Sequence, residues 1–95
     1  MPEMRFTIRW PDGTAERCYS PSLVIKDFLV PGESYALADF LGRSRQALRI
    51  ASDRVEARYG MPCSRALGQL ARIEAAGSAF ATLPDARVRV EAFDE

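Results

Sequence analysis

Histidine is absent from the 95-residue sequence, and with it go Ser/His/Asp and Cys/His triads, imidazole metal sites and the usual proton switch near neutral pH. Lysine is nearly absent as well, since every basic residue except Lys26 is arginine. That bias suits bidentate contacts to carboxylates and phosphates, although a GC-rich genome writes the same bias without any contact to serve. Neither sign of charge dominates: 13 basic residues balance 13 acidic ones, so the general phosphate attraction on which nucleic-acid binding rests is missing and no nucleic-acid partner is expected. No apolar run approaches the ~18 residues that cross a bilayer, and the opening MPEMRF lacks a charged segment followed by an apolar one. The expectation is a cytoplasmic protein with no membrane association. The two cysteines, Cys18 and Cys63, are too far apart for a CxxC motif and are expected to be reduced structural thiols. Neither GxGxxG nor GxxxxGK[ST] occurs, so no phosphate-cradling loop can be read from the glycines.

What is present is an ordinary globular balance, 47% hydrophobic and 27% charged, in a length that accommodates one core. Residues 1–95 are therefore read as a single α+β domain. Met4, Phe6, Ile8 and Trp10 alternate with Arg5, Thr7 and Arg9, a period of two that defines a strand with one apolar face. Pro11, Asp12 and Gly13 reverse the chain into a second strand over 14–19. The buried face of that strand stays open, because a bulge at Gly13 would move every side chain to the other side. Ser20, Pro21 and Ser22 resemble a helix start, predicting a short turn over 21–29.

A long helix is predicted from about Leu37 to Tyr59, with Leu37, Phe40, Leu41, Ser44, Leu48, Ala51, Val55 and Tyr59 as its stripe and Gly60 as its left-handed cap. Ile50 lies off the stripe and reads as an exposed apolar residue. A second helix follows over 63–76, with Ala66, Leu67, Leu70 and Ile73 inward. A last strand alternates Val88, Val90 and Ala92 with Arg87, Arg89 and Glu91. The order β-β-α-α-β predicts a two-layer sandwich: a three-stranded sheet covered on one face by two helices, the last strand beside the first with parallel pairing allowed.

Few constellations carry chemistry. Cys63 stands at a helix start beside Arg65, where a thiolate is favoured, yet it shares the predicted helix face of Leu67 and Leu70, where a thiol is inert. Two thiols without imidazole do not complete a zinc site, and no two carboxylates are placed as an acid/base pair. No catalytic residue, metal or cofactor is assigned. Gly42 and Gly68 fall inside the helices at a cost of about 1 kcal/mol each, which close helix approach would explain. A hairpin, helix and final strand also suggest a ubiquitin-like sulfur carrier, but the chain ends EAFDE and lacks the Gly-Gly whose carboxylate such carriers activate.

Four stretches, MRFTIRWPDG (4–13), CYSPS (18–22), PGESYALADF (31–40) and SDRVEARYGMPCSRA (52–66), resemble a family of small nitrogen-starvation-response proteins encoded in bacterial nitrilase gene clusters. The resemblance implies a cytoplasmic accessory protein, induced when nitrogen is limiting, whose neighbours include a nitrilase and whose pathway uses nitriles or cyanide as nitrogen sources. It supplies no active site. Within the family stretches, the surface singled out as functional is where Cys18, Tyr19 and Ser20, at the end of strand two, approach Tyr35 or the corner from Tyr59 to Cys63. The leading expectation is a non-enzymatic protein that binds an enzyme encoded in the same cluster through a sheet edge or face, or that forms a homodimer. The alternative is a small-molecule-binding or thiol-dependent protein using Cys63 or Cys18.

Overall fold

The computed structural model describes residues 2–95. The chain forms β1 (Met4–Arg9), β2 (Ala15–Ser20), a 3-10 turn (Leu23–Asp27), β3 (Ser34–Ala36), α1 (Leu37–Tyr59), α2 (Ser64–Ser78) and β4 (Arg87–Asp94). The strands make one sheet in the order β2-β1-β4-β3, with every neighbouring pair antiparallel.

The first hairpin closes as its turn residues require. Gly13 sits at φ +89, its N–H donates to the Trp10 carbonyl, and Trp10 N–H donates to Thr14 O. The resulting register pairs Met4 with Ser20, Phe6 with Cys18 and Ile8 with Glu16. The face left open by the sequence is thereby settled: Cys18 and Ser20 point into the core with Met4, Phe6 and Ile8, while Arg17 and Tyr19 point away.

The expected three-stranded sheet is incorrect, because β3 adds a fourth strand. Three residues are too few to display an alternation, and the Pro31-Gly32 pair ahead of them reads as a break. Yet Gly32 N–H donates to Val90 O and Val90 N–H to Glu33 O, so the segment that looks like a loop is already pairing. The same strand explains why the parallel pairing allowed for the last strand does not occur. If the helices left from the end of β2, their up-and-down path would return β4 parallel to β1. The chain instead crosses through the 3-10 turn to the far edge and runs β3 in the direction of β1 before α1 begins, so β4 returns antiparallel to both.

The core lies between the sheet and the two helices. Phe6, Ile8, Val88 and Val90 meet Phe40, Leu48, Leu70 and Ile73, joined by Ile25 of the 3-10 turn and by Leu29 just after it. Trp10 packs edge-on to Phe40 and stacks on Phe80, with centroids 5.8 and 5.9 Å away. Its indole N–H donates to Glu16 Oε1 at 2.9 Å, which supplies the partner that a buried indole needs. Burying roughly a dozen such side chains at about 1.5–3 kcal/mol each supplies the main force holding helices to sheet.

Several expected core positions lie elsewhere. The long helix outruns the sheet: residues 56–62 are all exposed, Tyr59 by 64% and Met61 by 72%, so the last residue of the predicted stripe, Tyr59, stands on a protruding helical corner. Leu67 is 42% exposed, because α2 is centred on Ala66, Leu70 and Ile73 and turns its neighbour outward. Ile50, expected on the surface, is half-buried. Close helix approach explains neither Gly42 nor Gly68, since a Cβ at either position would meet nothing within 4 Å; only Gly77 is crowded, by Leu41.

Candidate functional site

Because the two helices cover one face of the sheet, the outward residues of all four strands collect on the other. Antiparallel partners share a face, so the pairings define rows across the open side: Asp94–Arg5–Tyr19, Ala92–Thr7–Arg17, Ser34–Arg89–Arg9–Ala15 and Ala36–Arg87. Five of these side chains are arginines, Arg5, Arg9, Arg17, Arg87 and Arg89. A register shift between Thr7 and Ile8 leaves Glu91 as an extra residue on β4, and it joins Asp94 and, beside Tyr19, Glu3 among the carboxylates of this surface. Arg9 and Arg89 stand directly opposite each other, a like-charge pairing that is unfavourable in isolation. Glu91 holds both, Arg9 Nε at 2.7 Å and Arg89 Nε at 3.5 Å, and its carboxyl is kept below the usual range first by the hydrogen bond from Arg9. Arg17 pairs with Asp94, whereas Arg87 donates to Ser34 Oγ and O, partners without charge.

The β2 end of this face meets α2. Tyr19 lies beneath two guanidinium groups, Arg5 at 4.7 Å and Arg65 at 3.8 Å from the ring centroid, close enough for cation–π attraction. Burial and then the Glu3 carboxylate push the Tyr19 hydroxyl above its ordinary value of 10.0, with Arg65 opposing and Cys63 adding slightly. Gln69, 1% exposed, reaches from α2 to the strand: its Oε1 accepts from Tyr19 N–H at 3.0 Å and from Arg72 Nη2 at 3.1 Å. This side chain satisfies a backbone donor at the sheet edge and blunts that edge against strand addition. Sequence patterning missed it because a polar residue on a helix reads as solvent-facing. The available signal was its place between Ala66 and Ile73 on the buried side.

The six residues singled out from the sequence divide into separate places. Tyr19 and Cys63 share the β2–α2 edge. Cys63 is the residue before α2, a free and half-buried thiol whose N–H donates to Ser52 Oγ at 3.1 Å. Cys18, although adjacent to Tyr19 in sequence, faces the core, where burial pushes its thiol well above the ordinary 9.0, so it stays protonated at neutral pH. Ser20 is also buried and builds the turn: its Oγ donates to Ser22 O at 2.7 Å and accepts from Ser22 N–H. Ser22 in turn accepts from Val24 N–H at 3.2 Å and Arg54 Nη1 at 3.1 Å. Tyr35 is across the sheet on β3, where its hydroxyl accepts from Val30 N–H at 2.9 Å and Arg43 lies over its ring at 4.8 Å. Tyr59 is on the exposed helical corner beside Arg58. The topology thus brings Tyr19 to the Cys63 end of that corner and holds Tyr35 apart.

Among the described residues no group of three or more cysteines and carboxylates is placed to hold a metal ion, and no helix is long and apolar enough to cross a membrane. The fold and its surfaces define a small α+β domain with one helix-covered sheet face and one arginine-lined face. The family model of the nitrogen starvation-induced protein NitG matches residues 5–93, and the chain belongs to that family. No curated protein and no solved structure matches it.

Proposed function

We propose that this nitrogen starvation-induced protein is a non-enzymatic cytoplasmic accessory in a nitrilase-cluster pathway that assimilates nitrile or cyanide nitrogen. In this reading it binds an enzyme encoded in the same cluster through the open face of its sheet. The observation that carries the reading is the segregation of charge. A chain with no net charge gathers Arg5, Arg9, Arg17, Arg87 and Arg89 on one face against Glu91, Asp94 and, at the Tyr19 end, Glu3. Arginine is enriched at protein interfaces and among the residues that dominate their energetics. The complement of such a face is an acidic patch on the partner, and complementary charge speeds encounter and excludes wrong partners. The face is favoured over the edges, because β3 is only three residues long and Gln69 occupies the Tyr19 amide on β2.

The test mixes the purified protein with each enzyme of the cluster and measures affinity at several salt concentrations. One enzyme is expected to bind, more weakly as salt rises. Arg9→Ala combined with Arg89→Ala is expected to weaken binding by at least about tenfold, while Tyr59→Ala with Met61→Ala at the helical corner leaves it unchanged. Absence of binding to every enzyme overturns the accessory reading. Binding that the corner pair abolishes and the arginine pair does not overturns the choice of surface.

A further inference from the structure

The arginines of the open sheet face are not evenly answered by carboxylates. At the Tyr19 end Asp94 pairs with Arg17, and Glu3 lies against the Tyr19 hydroxyl with Arg65 Nη1 3.9 Å from its Oε2. At the β3 end three guanidinium groups share one carboxylate. Glu91 takes Arg9 Nε at 2.7 Å and reaches Arg89 Nε only at 3.5 Å. Arg87 spends its Nε and Nη2 on the uncharged Ser34 hydroxyl and carbonyl, at 3.0 and 2.8 Å. Asp85 and Glu33 are close to it in the chain or beside its paired strand, yet among the described residues Arg87 forms no ion pair. The uncompensated positive charge of the face is therefore concentrated at Arg87 and Arg89.

Arg87 and Arg89 are alternate residues of β4, so they share its open side about 6.7 Å apart along the strand. Their neighbours on that side are small: Ser34 and Ala36 on β3, Thr7 on β1 and Ala92 further along β4. Such a surface admits a rod laid on it. It offers no backbone pairing, because the open face of a sheet presents side chains only. The edges offer little more: Gln69 Oε1 holds the Tyr19 N–H, and Arg87 takes a carbonyl of the three-residue β3. An extended segment on this face would find no partners for its own N–H and C=O groups, whereas a helix satisfies them internally. Helix on sheet is also the packing of the covered face, and a helix on the open one completes a third layer.

We propose that the partner meets this face with an acidic α-helix lying along β4, two of its carboxylates one turn apart on Arg87 and Arg89. Residues i and i+4 of a helix are about 6 Å apart along its axis, which matches the spacing of the two arginines, and a guanidinium group holds a carboxylate bidentately. Thr7 and Ala92 seat the helix where larger side chains would lift it off. This docking mode rests on the partner-binding reading for its choice of face, but not for the identity of the partner.

The probe is an alanine-based peptide of about 20 residues, with glutamate at every fourth position along one side and a side-chain cross-link on the other that holds it helical. Its control keeps the charges but has central prolines, which abolish the helix. Each is titrated at low salt into the full chain and followed by amide NMR. The helical peptide is expected to saturate below about 1 mM, with the largest shifts at Thr7, Arg87, Arg89 and Ala92, and the proline peptide to bind at least about tenfold more weakly. Arg87→Ala, which removes an anchor, and Ala92→Trp, which blocks the seat with a residue that strands favour, are each expected to weaken the helical peptide at least about tenfold. Arg49→Ala, on the exposed side of α1, is expected to leave it unchanged. Shifts still linear at about 1 mM, equal binding of the two peptides, or an equal loss in Arg49→Ala overturn the proposal. A cluster enzyme that binds through the arginine face while the helical peptide fails overturns the helix and leaves the accessory reading standing; a saturating helical peptide with no enzyme bound does the reverse.

Discussion

Replacing Cys18 by alanine tests the inward register of β2 through the pH dependence of stability. Cys18 is fully buried opposite Phe6, and burial, reinforced by Glu16 and opposed by Arg72, raises its thiol far above 9.0. The unfolded chain therefore releases this proton as pH rises through about 9, whereas the folded chain keeps it. With fewer protons bound to the unfolded state, the stability of the wild-type protein falls as pH increases, by about 1.4 kcal/mol per pH unit once the unfolded thiol is ionised. The stabilisation is fully present below pH 9, and about 2 kcal/mol of it is gone at about pH 10.5. That is a large share of a typical 5–15 kcal/mol of total stability. The alanine variant loses about 1 kcal/mol of packing at every pH and has no thiol to ionise. Its stability curve is expected to start below wild type at about pH 8 and to cross it at about pH 10. Tyr19, also pushed up by burial and Glu3, titrates in both proteins and cancels from the difference. Urea unfolding followed by the fluorescence of the single tryptophan, Trp10, under reducing conditions, measures both curves. Parallel curves across that range would refute the burial of the Cys18 thiol and with it the register of the hairpin.

Two further outcomes follow from local geometry. Gly60 caps α1 at φ +85 with its N–H on Glu56 O at 2.7 Å. Gly60→Ala is expected to cost about 1–2 kcal/mol, seen as a melting temperature lowered by roughly 5–10 °C in calorimetry. Ser22 accepts from both Val24 N–H and Arg54 while buried, so Ser22→Ala is expected to cost about 1–2 kcal/mol. That cost should appear as a lower urea midpoint at unchanged slope, and an unchanged midpoint would remove the Ser22 cap from the account of how the chain turns from β2 toward β3.

The parts of the protein legible in the sequence are those governed by local rules. The alternation of Met4, Phe6 and Ile8 needs only the two-residue period of a strand, the turn at Gly13 only a positive φ, and the span of α1 only its stripe and the Gly60 cap. Absence was equally local: without histidine the familiar catalytic constellations are gone. What the tertiary structure alone decided depends on partners distant in the chain. β3 exists because Arg87, Val88 and Arg89 are there to pair with it, and its presence reverses the sense of the last strand. Tyr59 is exposed because the sheet ends before α1 does, a length mismatch invisible to periodicity, and Leu67 because α2 turns Ala66, Leu70 and Ile73 inward instead. Gln69 is buried because a strand amide fifty positions earlier requires an acceptor.

The functional surfaces show the same division. Five arginines spread from position 5 to position 89 carry no signal as a string in a chain of zero net charge, yet three antiparallel registers put them on one face. Cys18 and Tyr19, neighbours in sequence, have opposite fates because successive side chains of a strand point to opposite sides. Composition determined that these 95 residues can build one small core and that no chemistry here runs through an imidazole. Which arginines stand together, which thiol is shielded and which guanidinium is left without a carboxylate were decided by strand pairing and helix packing, whose interactions join residues the linear order keeps apart.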